Sequence, residues 1–217
     1  MPPFTIFARR LLSTLFLFQN GPNSRARYKI LCSTDVCISY LKNLNICKIA
    51  LFANNGVRSY FISQGFETTF KNPEAAILTY NDDYNYQDLV LFINLIRKGV
   101  PYYATHIDYL YPSQNGLIPD IGCMIETIRI ATGLDPIKTF GKPSNDMILS
   151  VLAKENMSLG DAVIVGDKLY TDVAMGTCND LLTILVLSGE TKREEYEESK
   201  IRADIVIPSV KDLEKFL

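Results

Sequence analysis

Histidine is almost missing from this sequence: His106 is the only one in 217 residues. A His-based triad or a multi-histidine metal site is therefore not expected. The five cysteines, Cys32, Cys37, Cys47, Cys123 and Cys178, are odd in number and lack the paired spacing of zinc sites and thiol redox motifs. A reduced, intracellular chain is the simplest reading. Positive charge is not in excess either. A formal net charge of -2 and a pI near 5.5 leave no general attraction to nucleic acid or anionic lipid, and point to small-molecule partners. The apolar run Leu11 to Phe18 falls far short of the ~20 residues that span a bilayer, so no membrane partner is expected. Acidic side chains are absent from residues 1–34, which do contain Arg9, Arg10, Arg25, Arg27 and Lys29. That composition imitates a mitochondrial presequence, although no small-x-small cleavage site follows the run. A buried strand between loops, in a cytoplasmic protein, is the competing expectation. No Gly-x-Gly-x-x-Gly turn follows a strand, which argues against a dinucleotide-binding domain.

Close to half of the composition is apolar, enough to bury a core. From about Lys29 onward, short β-rich runs alternate with amphipathic stretches, the pattern of βα units feeding a mostly parallel sheet. The fold class is α/β. Strands are predicted over Ile46 to Ala53, Ala75 to Tyr80, Val100 to Thr105, Ala162 to Val165, Leu182 to Leu187 and Asp204 to Ile207. Helices are predicted over Asp35 to Leu44, Gly56 to Gln64, Tyr86 to Lys98, Ile121 to Thr132, Asn145 to Glu155, Thr171 to Cys178, Lys192 to Ser199 and Lys211 to Phe216. Ser144 can cap the helix that begins at Asn145, and Gly99 can close the one ending at Lys98. Pro112, Ser113, Asn115, Gly116 and Pro119 cluster as turn residues and suggest a domain boundary.

The sharpest chemical feature is the apolar run Ala162-Val163-Ile164-Val165 leading into Gly166-Asp167 and, five residues on, Asp172. In an open parallel sheet, ligands bind beyond the carboxyl ends of the strands, where Asp167 would project. Two converging carboxylates suit Mg²⁺, which takes one or two of them plus water and phosphate oxygens. The plainer reading makes Asp167 a turn residue and Asp172 a helix cap. Gly141-Lys142-Pro143-Ser144 presents a lysine just before a helix N-terminus, where charge and backbone donors favour an anion.

Taken together, Gly141-Lys142-Pro143-Ser144, Val163-Ile164-Val165-Gly166-Asp167 and Thr171-Asp172 resemble the third and fourth motifs of the haloacid dehalogenase superfamily. Tyr103-Ala104-Thr105-His106-Ile107-Asp108, Gly116-Leu117-Ile118-Pro119-Asp120-Ile121-Gly122, Ala131-Thr132-Gly133 and Leu185-Val186-Leu187-Ser188-Gly189 extend the resemblance to its phosphatases with a large α/β cap. The resemblance implies a Rossmann-like parallel-sheet core, incomplete in this chain, with an α/β cap domain. Residues 1–31 would be a partial or degenerate core segment, 32–118 the cap, and 119–217 the C-terminal part of the core. It implies that Lys142 holds the phosphoryl group with Ser144 beside it, that Asp167 is the chief ligand of Mg²⁺, and that Asp172 supports the metal shell. Asp108 either orients substrate or makes the turn ahead of Pro112. His106, where the family has Asn, reads as a loop residue, Asp120 as a helix cap, and Tyr80, Tyr84 and Tyr86 as cap packing. The substrate would be a small phosphorylated metabolite, and a homo-oligomer is among the expected assemblies.

The family's nucleophile is the first aspartate of an Asp-x-Asp-Gly pattern, whose covalent phosphorylation splits the hydrolysis into two easier steps. No such pattern precedes Lys142. Leu15-Phe16-Leu17-Phe18-Gln19-Asn20 followed by Ser24-Arg25 resembles the family's second motif, with Gln19 in place of a hydroxyl residue. Without the first strand, the edge of the strand ending at Asp167 is expected to lack its partner. A truncated or degenerate N-terminus and a strand recruited from elsewhere are the two explanations. A Mg²⁺-dependent phosphatase and a non-catalytic Mg²⁺ and phosphate-binding or assembly protein both remain open.

Overall fold

The computed structural model describes residues 5–10, 13–18, 27–113, 116–155 and 157–215. The chain begins with three strands, β1 (Thr5–Arg10), β2 (Ser13–Phe18) and β3 (Arg27–Leu31), rich in the β-branched and aromatic residues that suit a pleated surface. A second group follows: α1 (Ser33–Asn43), β4 (Lys48–Phe52), α2 (Asn55–Ser63), β5 (Glu67–Thr68), β6 (Ala75–Leu78), α3 (Tyr86–Arg97), β7 (Tyr102–Ala104), β8 (Leu110–Ser113), β9 (Gly116–Pro119), α4 (Ile121–Thr132) and β10 (Lys138–Thr139). The last group is α5 (Asp146–Glu155), β11 (Ala162–Gly166), α6 (Ala174–Cys178), β12 (Leu182–Val186), α7 (Arg193–Glu198) and β13 (Ile205–Ile207). Every strand and helix expected from the hydrophobic periodicity is present, with ends shifted by a few residues. Two have a different local winding: a π-helical turn, Leu169–Val173, precedes α6, and the C-terminal helix is a 3₁₀ segment, Val210–Lys215.

These elements divide into two compact units, Met1–Cys32 with Lys142–Leu217, and Ser33–Gly141. In the first, the sheet order is β13-β12-β11-β1-β2-β3. Strands β13, β12, β11 and β1 run parallel, and β2 and β3 continue antiparallel. The edge expected to lack a partner is therefore covered: β1 lies parallel to β11, with Thr5 opposite Ala162 and Phe7 opposite Ile164. The apolar run around Leu15 to Phe18 falls in β2, antiparallel to β1. Gln19, Asn20, Ser24 and Arg25 lie outside the described residues.

The second unit is a five-stranded parallel sheet of order β10-β7-β6-β4-β5. Strands β4, β6 and β7 are buried along nearly their whole length, and Phe52, Leu78, Phe92 and Ile96 form one core with Ile121, Ile125 and Ile128 of α4. This packing moves the boundary. The cluster of turn residues between Tyr111 and Pro119 makes no domain border; its flanks pair as the hairpin β8–β9, Leu110 opposite Pro119. Residues 119–141, expected with the later core, belong to the second unit. Gly99 ends α3 as anticipated, at φ 86°, a conformation that only glycine adopts without strain.

Cys37 is fully buried in α1, and burial pushes its thiol well above the ordinary range. Cys47 and Cys178 are exposed. Since the thiolate is the reacting form, a maleimide or aryl disulfide reagent is expected to label Cys47 and Cys178 in the folded chain, and Cys37 only after denaturation. Labelling of Cys37 at the same rate as Cys47 contradicts the packing.

Candidate active site

Strand β11 is buried from end to end and delivers Asp167 past its carboxyl end. A clasp from the loop after β12 fixes this residue: the Glu190 N–H donates to Asp167 Oδ2 at 3.0 Å, and the Thr191 N–H donates to the Asp167 carbonyl at 3.0 Å. Gly189 lets this loop close. A Cβ there would land on the Asp167 carboxylate.

Asp172 arrives on the π-helical turn, whose first bonds are the Asp172 and Val173 N–H groups donating to Lys168 O at 3.0 and 3.2 Å. Its carboxylate folds back toward the strand. A Cβ on Gly166 would collide with Asp172 Cβ and Cγ, so glycine at the strand end is what leaves room for the Asp172 side chain. Asp172 Oδ2 accepts from the Lys168 N–H at 3.3 Å, and Oδ1 is ion-paired with Lys142 Nζ. Both side chains of that pair are largely out of solvent, 12% exposed for Lys142 and 4% for Asp172. An ion pair this enclosed holds a cation in place more firmly than a surface pair would.

Ser144 stands two residues after Lys142, where its Oγ donates to Asp146 Oδ2 at 2.6 Å and accepts from the Asp146 N–H at 3.3 Å. It organises the start of α5, as anticipated, with the helix beginning one residue later than expected. Lys142, Ser144, Asp167 and Asp172 therefore all belong to the first unit. Asp108 belongs to the second, half-buried, its carbonyl accepting from the Gly122 N–H at 2.8 Å. Asp120 caps α4, accepting from the Ile121 N–H at 2.8 Å. His106 is tied to it, Nε2 to Asp120 Oδ1 at 3.1 Å.

Lys168 was not singled out by the sequence reading. It is buried, its Nζ lies 3.1 Å from Glu190 Oε2 and 4.8 Å from the centre of the Tyr170 ring. Glu190 thus serves the site twice, by its backbone to Asp167 and by its side chain to Lys168. The turn Ser188-Gly189-Glu190-Thr191 directly after a buried strand was the available signal.

Chemically, the donor set is one enclosed lysine and two carboxylates beyond the end of a parallel strand. Among the described residues, no group of three or more His, Cys, Asp or Glu side chains gathers as a metal cage. Mg²⁺ keeps several waters and needs only one or two carboxylates, a demand that Asp167 and Asp172 can meet. Both Asp172 oxygens are engaged, Oδ1 by Lys142 and Oδ2 by the Lys168 N–H.

Comparison with known proteins agrees with this geometry. Residues 139–213 match a family model described as HAD-hydrolase-like. A dihydroxyacetone phosphatase of Corynebacterium glutamicum is 32% identical over 73% of this chain and 58% of its own length. The crystal structure of a 4-nitrophenylphosphatase from Thermotoga maritima superposes with a TM-score of 0.82 at 31% identity, covering 85% of this chain and 71% of that one. A glycerol phosphate phosphatase of Mycobacterium tuberculosis, crystallised in complex with magnesium, shares the fold at 22% identity and a TM-score of 0.76, over 84% of this chain and 57% of that one. This chain spans less than two thirds of the length of the first of these relatives. The ordered motifs, the Lys142–Asp172 ion pair, and the match to the Thermotoga maritima enzyme over most of both chains lead to one conclusion: the chain belongs to the haloacid dehalogenase-like hydrolase family.

Proposed function

We propose that the first unit carries the phosphate- and Mg²⁺-binding end of a phosphomonoesterase site for small phosphorylated metabolites. The observation that carries this reading is the enclosed Lys142–Asp172 pair, with Asp172 packed against Gly166 at the end of the strand that leads into Asp167. Lys142 would neutralise a phosphoryl oxygen, held in place by Asp172, and Ser144 would order the start of α5 behind it. Mg²⁺ on Asp167 would supply charge neutralisation at the remaining phosphoryl oxygens. Phosphoryl transfer depends mainly on positioning and charge, which this set provides. The second unit is read as the cap, with Asp108 as its candidate contact to substrate. The same reading goes with a cytoplasmic location, or a mitochondrial one if the basic residues 1–34 act as a presequence, and keeps a homo-oligomer among the expected assemblies.

One observation favours binding without turnover. No Asp-x-Asp-Gly pattern precedes Lys142, and the strand beside β11 ends in Ala8-Arg9-Arg10, which offers no carboxylate for the covalent step.

Calorimetry with inorganic phosphate and Mg²⁺ tests the shared part of both readings. The wild-type chain is expected to bind phosphate when Mg²⁺ is present, and Asp167→Ala to weaken this by about 100-fold. Phosphate binding that ignores both Mg²⁺ and Asp167→Ala refutes the proposal. Turnover of 4-nitrophenyl phosphate that disappears in Asp167→Ala decides for catalysis by this chain over binding alone.

A further inference from the structure

A groove lies at the amino ends of β6 and β7, within the second unit. One wall is the passage from β5 into β6, which supplies Phe70 and Lys71, and the other is the passage from α3 into β7, which supplies Leu95, Lys98 and Val100. The cavity between them measures about 790 Å³, inside the roughly 300–1,000 Å³ range of small-molecule sites.

Both walls are held by backbone hydrogen bonds. On the first, the Thr69 N–H donates to the Ile49 carbonyl at 2.8 Å and the Glu74 N–H to the Lys48 carbonyl at 2.8 Å, so both ends of the passage are tied to the start of β4. Between them the Lys71 N–H donates to Thr69 Oγ1 at 3.0 Å, and Asn72 turns the chain at φ 50°, a conformation that asparagine tolerates better than most residues. On the second, the Gly99 N–H donates to the Ile96 carbonyl at 2.9 Å and the Val100 N–H to the Leu95 carbonyl at 3.2 Å, which closes α3 and fixes Leu95 against Val100. The groove is therefore shaped without help from a ligand.

Floor and rim differ in chemistry. Phe70, Leu95 and Val100 are partly buried and rest on the same core as Phe92 and Ile96, and the surface left to each lines the groove. Lys71 and Lys98 are exposed and bring two positive charges, and no Asp or Glu lines the cavity among the described residues. Glu67 and Glu74, the acidic residues nearest Lys71 in sequence, are engaged elsewhere. Glu67 pairs with Lys48 at 3.4 Å. Glu74 accepts from the Cys47 and Lys48 N–H groups at 2.9 and 2.8 Å, which holds its carboxyl below the usual range. This local balance runs against the chain as a whole, whose formal net charge is -2. Cations are repelled from such a groove and anions drawn to it, while the floor favours a ligand that takes apolar surface out of water. A bare inorganic anion meets only the first demand and a neutral hydrocarbon only the second.

We infer that this groove binds a small organic anion carried on a short apolar or aromatic body. Such a site lies beyond the phosphomonoesterase reading: it binds without hydrolysing, and all of its residues belong to the second unit.

The test uses the full chain and 4-phenylbutyrate as probe, with 4-phenylbutanol as the control for charge and acetate as the control for the apolar body. Binding is followed by the methyl resonances of Leu95 and Val100 and by calorimetry. A carboxylate read at these methyl groups keeps the result separate from phosphate binding at Lys142, so that either can fail while the other stands. Phenylbutyrate is expected to shift both residues and to bind at least about fivefold more tightly than either control. Lys71→Gln and Lys98→Gln are each expected to weaken it by about threefold and to leave the alcohol unchanged. Raising the salt to about 1 M should weaken the acid and not the alcohol. Equal affinity for acid and alcohol, acetate binding as tight as that of phenylbutyrate, no response of Leu95 and Val100 at millimolar acid, or indifference to both glutamine variants overturns the proposal. So does a shift of these methyl groups by phosphatidylglycerol vesicles but not by the acid, which would make the groove a membrane contact.

Discussion

Asp172→Ala is expected to destabilise the first unit by about 3–5 kcal/mol, because it leaves the enclosed Lys142 ammonium without its counter-ion. Lys142 is mostly out of solvent, so water cannot replace the lost partner cheaply. The same substitution leaves the Glu190 clasp on Asp167 in place, and phosphate binding should be lost along with the position of the lysine. Urea unfolding of the variant measures the first effect. The double variant Lys142→Met, Asp172→Leu separates pairing from function: apolar replacement of a buried pair is often close to neutral in stability, so the fold should recover while phosphate affinity does not. A single variant Asp172→Ala that unfolds within about 1 kcal/mol of wild type would show that the pair is solvated in solution.

Gly189→Ala should damage the site while changing no charge and no hydrogen-bonding group. The added methyl meets the Asp167 carboxylate directly, so either the clasp opens or the carboxylate turns away. Overpacking of this kind costs about 1–3 kcal/mol. Since residues that orient a ligating carboxylate typically matter 10- to 100-fold for metal affinity, Mg²⁺ binding in the presence of phosphate should fall by about that factor. Ser188→Ala, at an exposed neighbouring position, is the control. Calorimetric titration with Mg²⁺ reads both, and an unchanged affinity in Gly189→Ala would detach the loop from the site.

The parts of this site that are legible in the sequence share a property. Asp167 and Asp172 lie within one strand-to-helix passage, and Lys142 and Ser144 within one turn, so each pair is positioned by local backbone geometry that spacing encodes. The Glu190 clasp on Asp167 joins positions more than twenty residues apart, and no spacing rule announces such a bond. The placement of β1 was illegible for a stronger version of the same reason. Its partner β11 is distant in sequence, and a strand's own residues state that it is a strand without stating its neighbour. The boundary was misplaced because Pro, Gly and Asn report a reversal of the chain, and a hairpin such as β8–β9 needs one as much as a linker does. What settles that case is α4, whose Ile121, Ile125 and Ile128 complete the core of the second unit. The winding of Leu169–Val173 as a π-helical turn was likewise beyond reach, since the sequence pattern there reads as ordinary helix.

The pairing of Thr5 with Ala162 also dictates an order of events at the ribosome. The second unit, Ser33–Gly141, is contiguous, so all of its strands emerge before β11 is made. The first unit is split around it, and β1 must wait for a partner synthesised roughly 150 residues later, which at about 5–20 residues per second amounts to some 10–30 s. During that interval the side of β1 that will meet β11 is open, while β1, β2 and β3 pair as an antiparallel meander. The nascent chain therefore carries all the strands of the second unit and an unfinished sheet edge at the same time, the kind of exposed edge that chaperones protect.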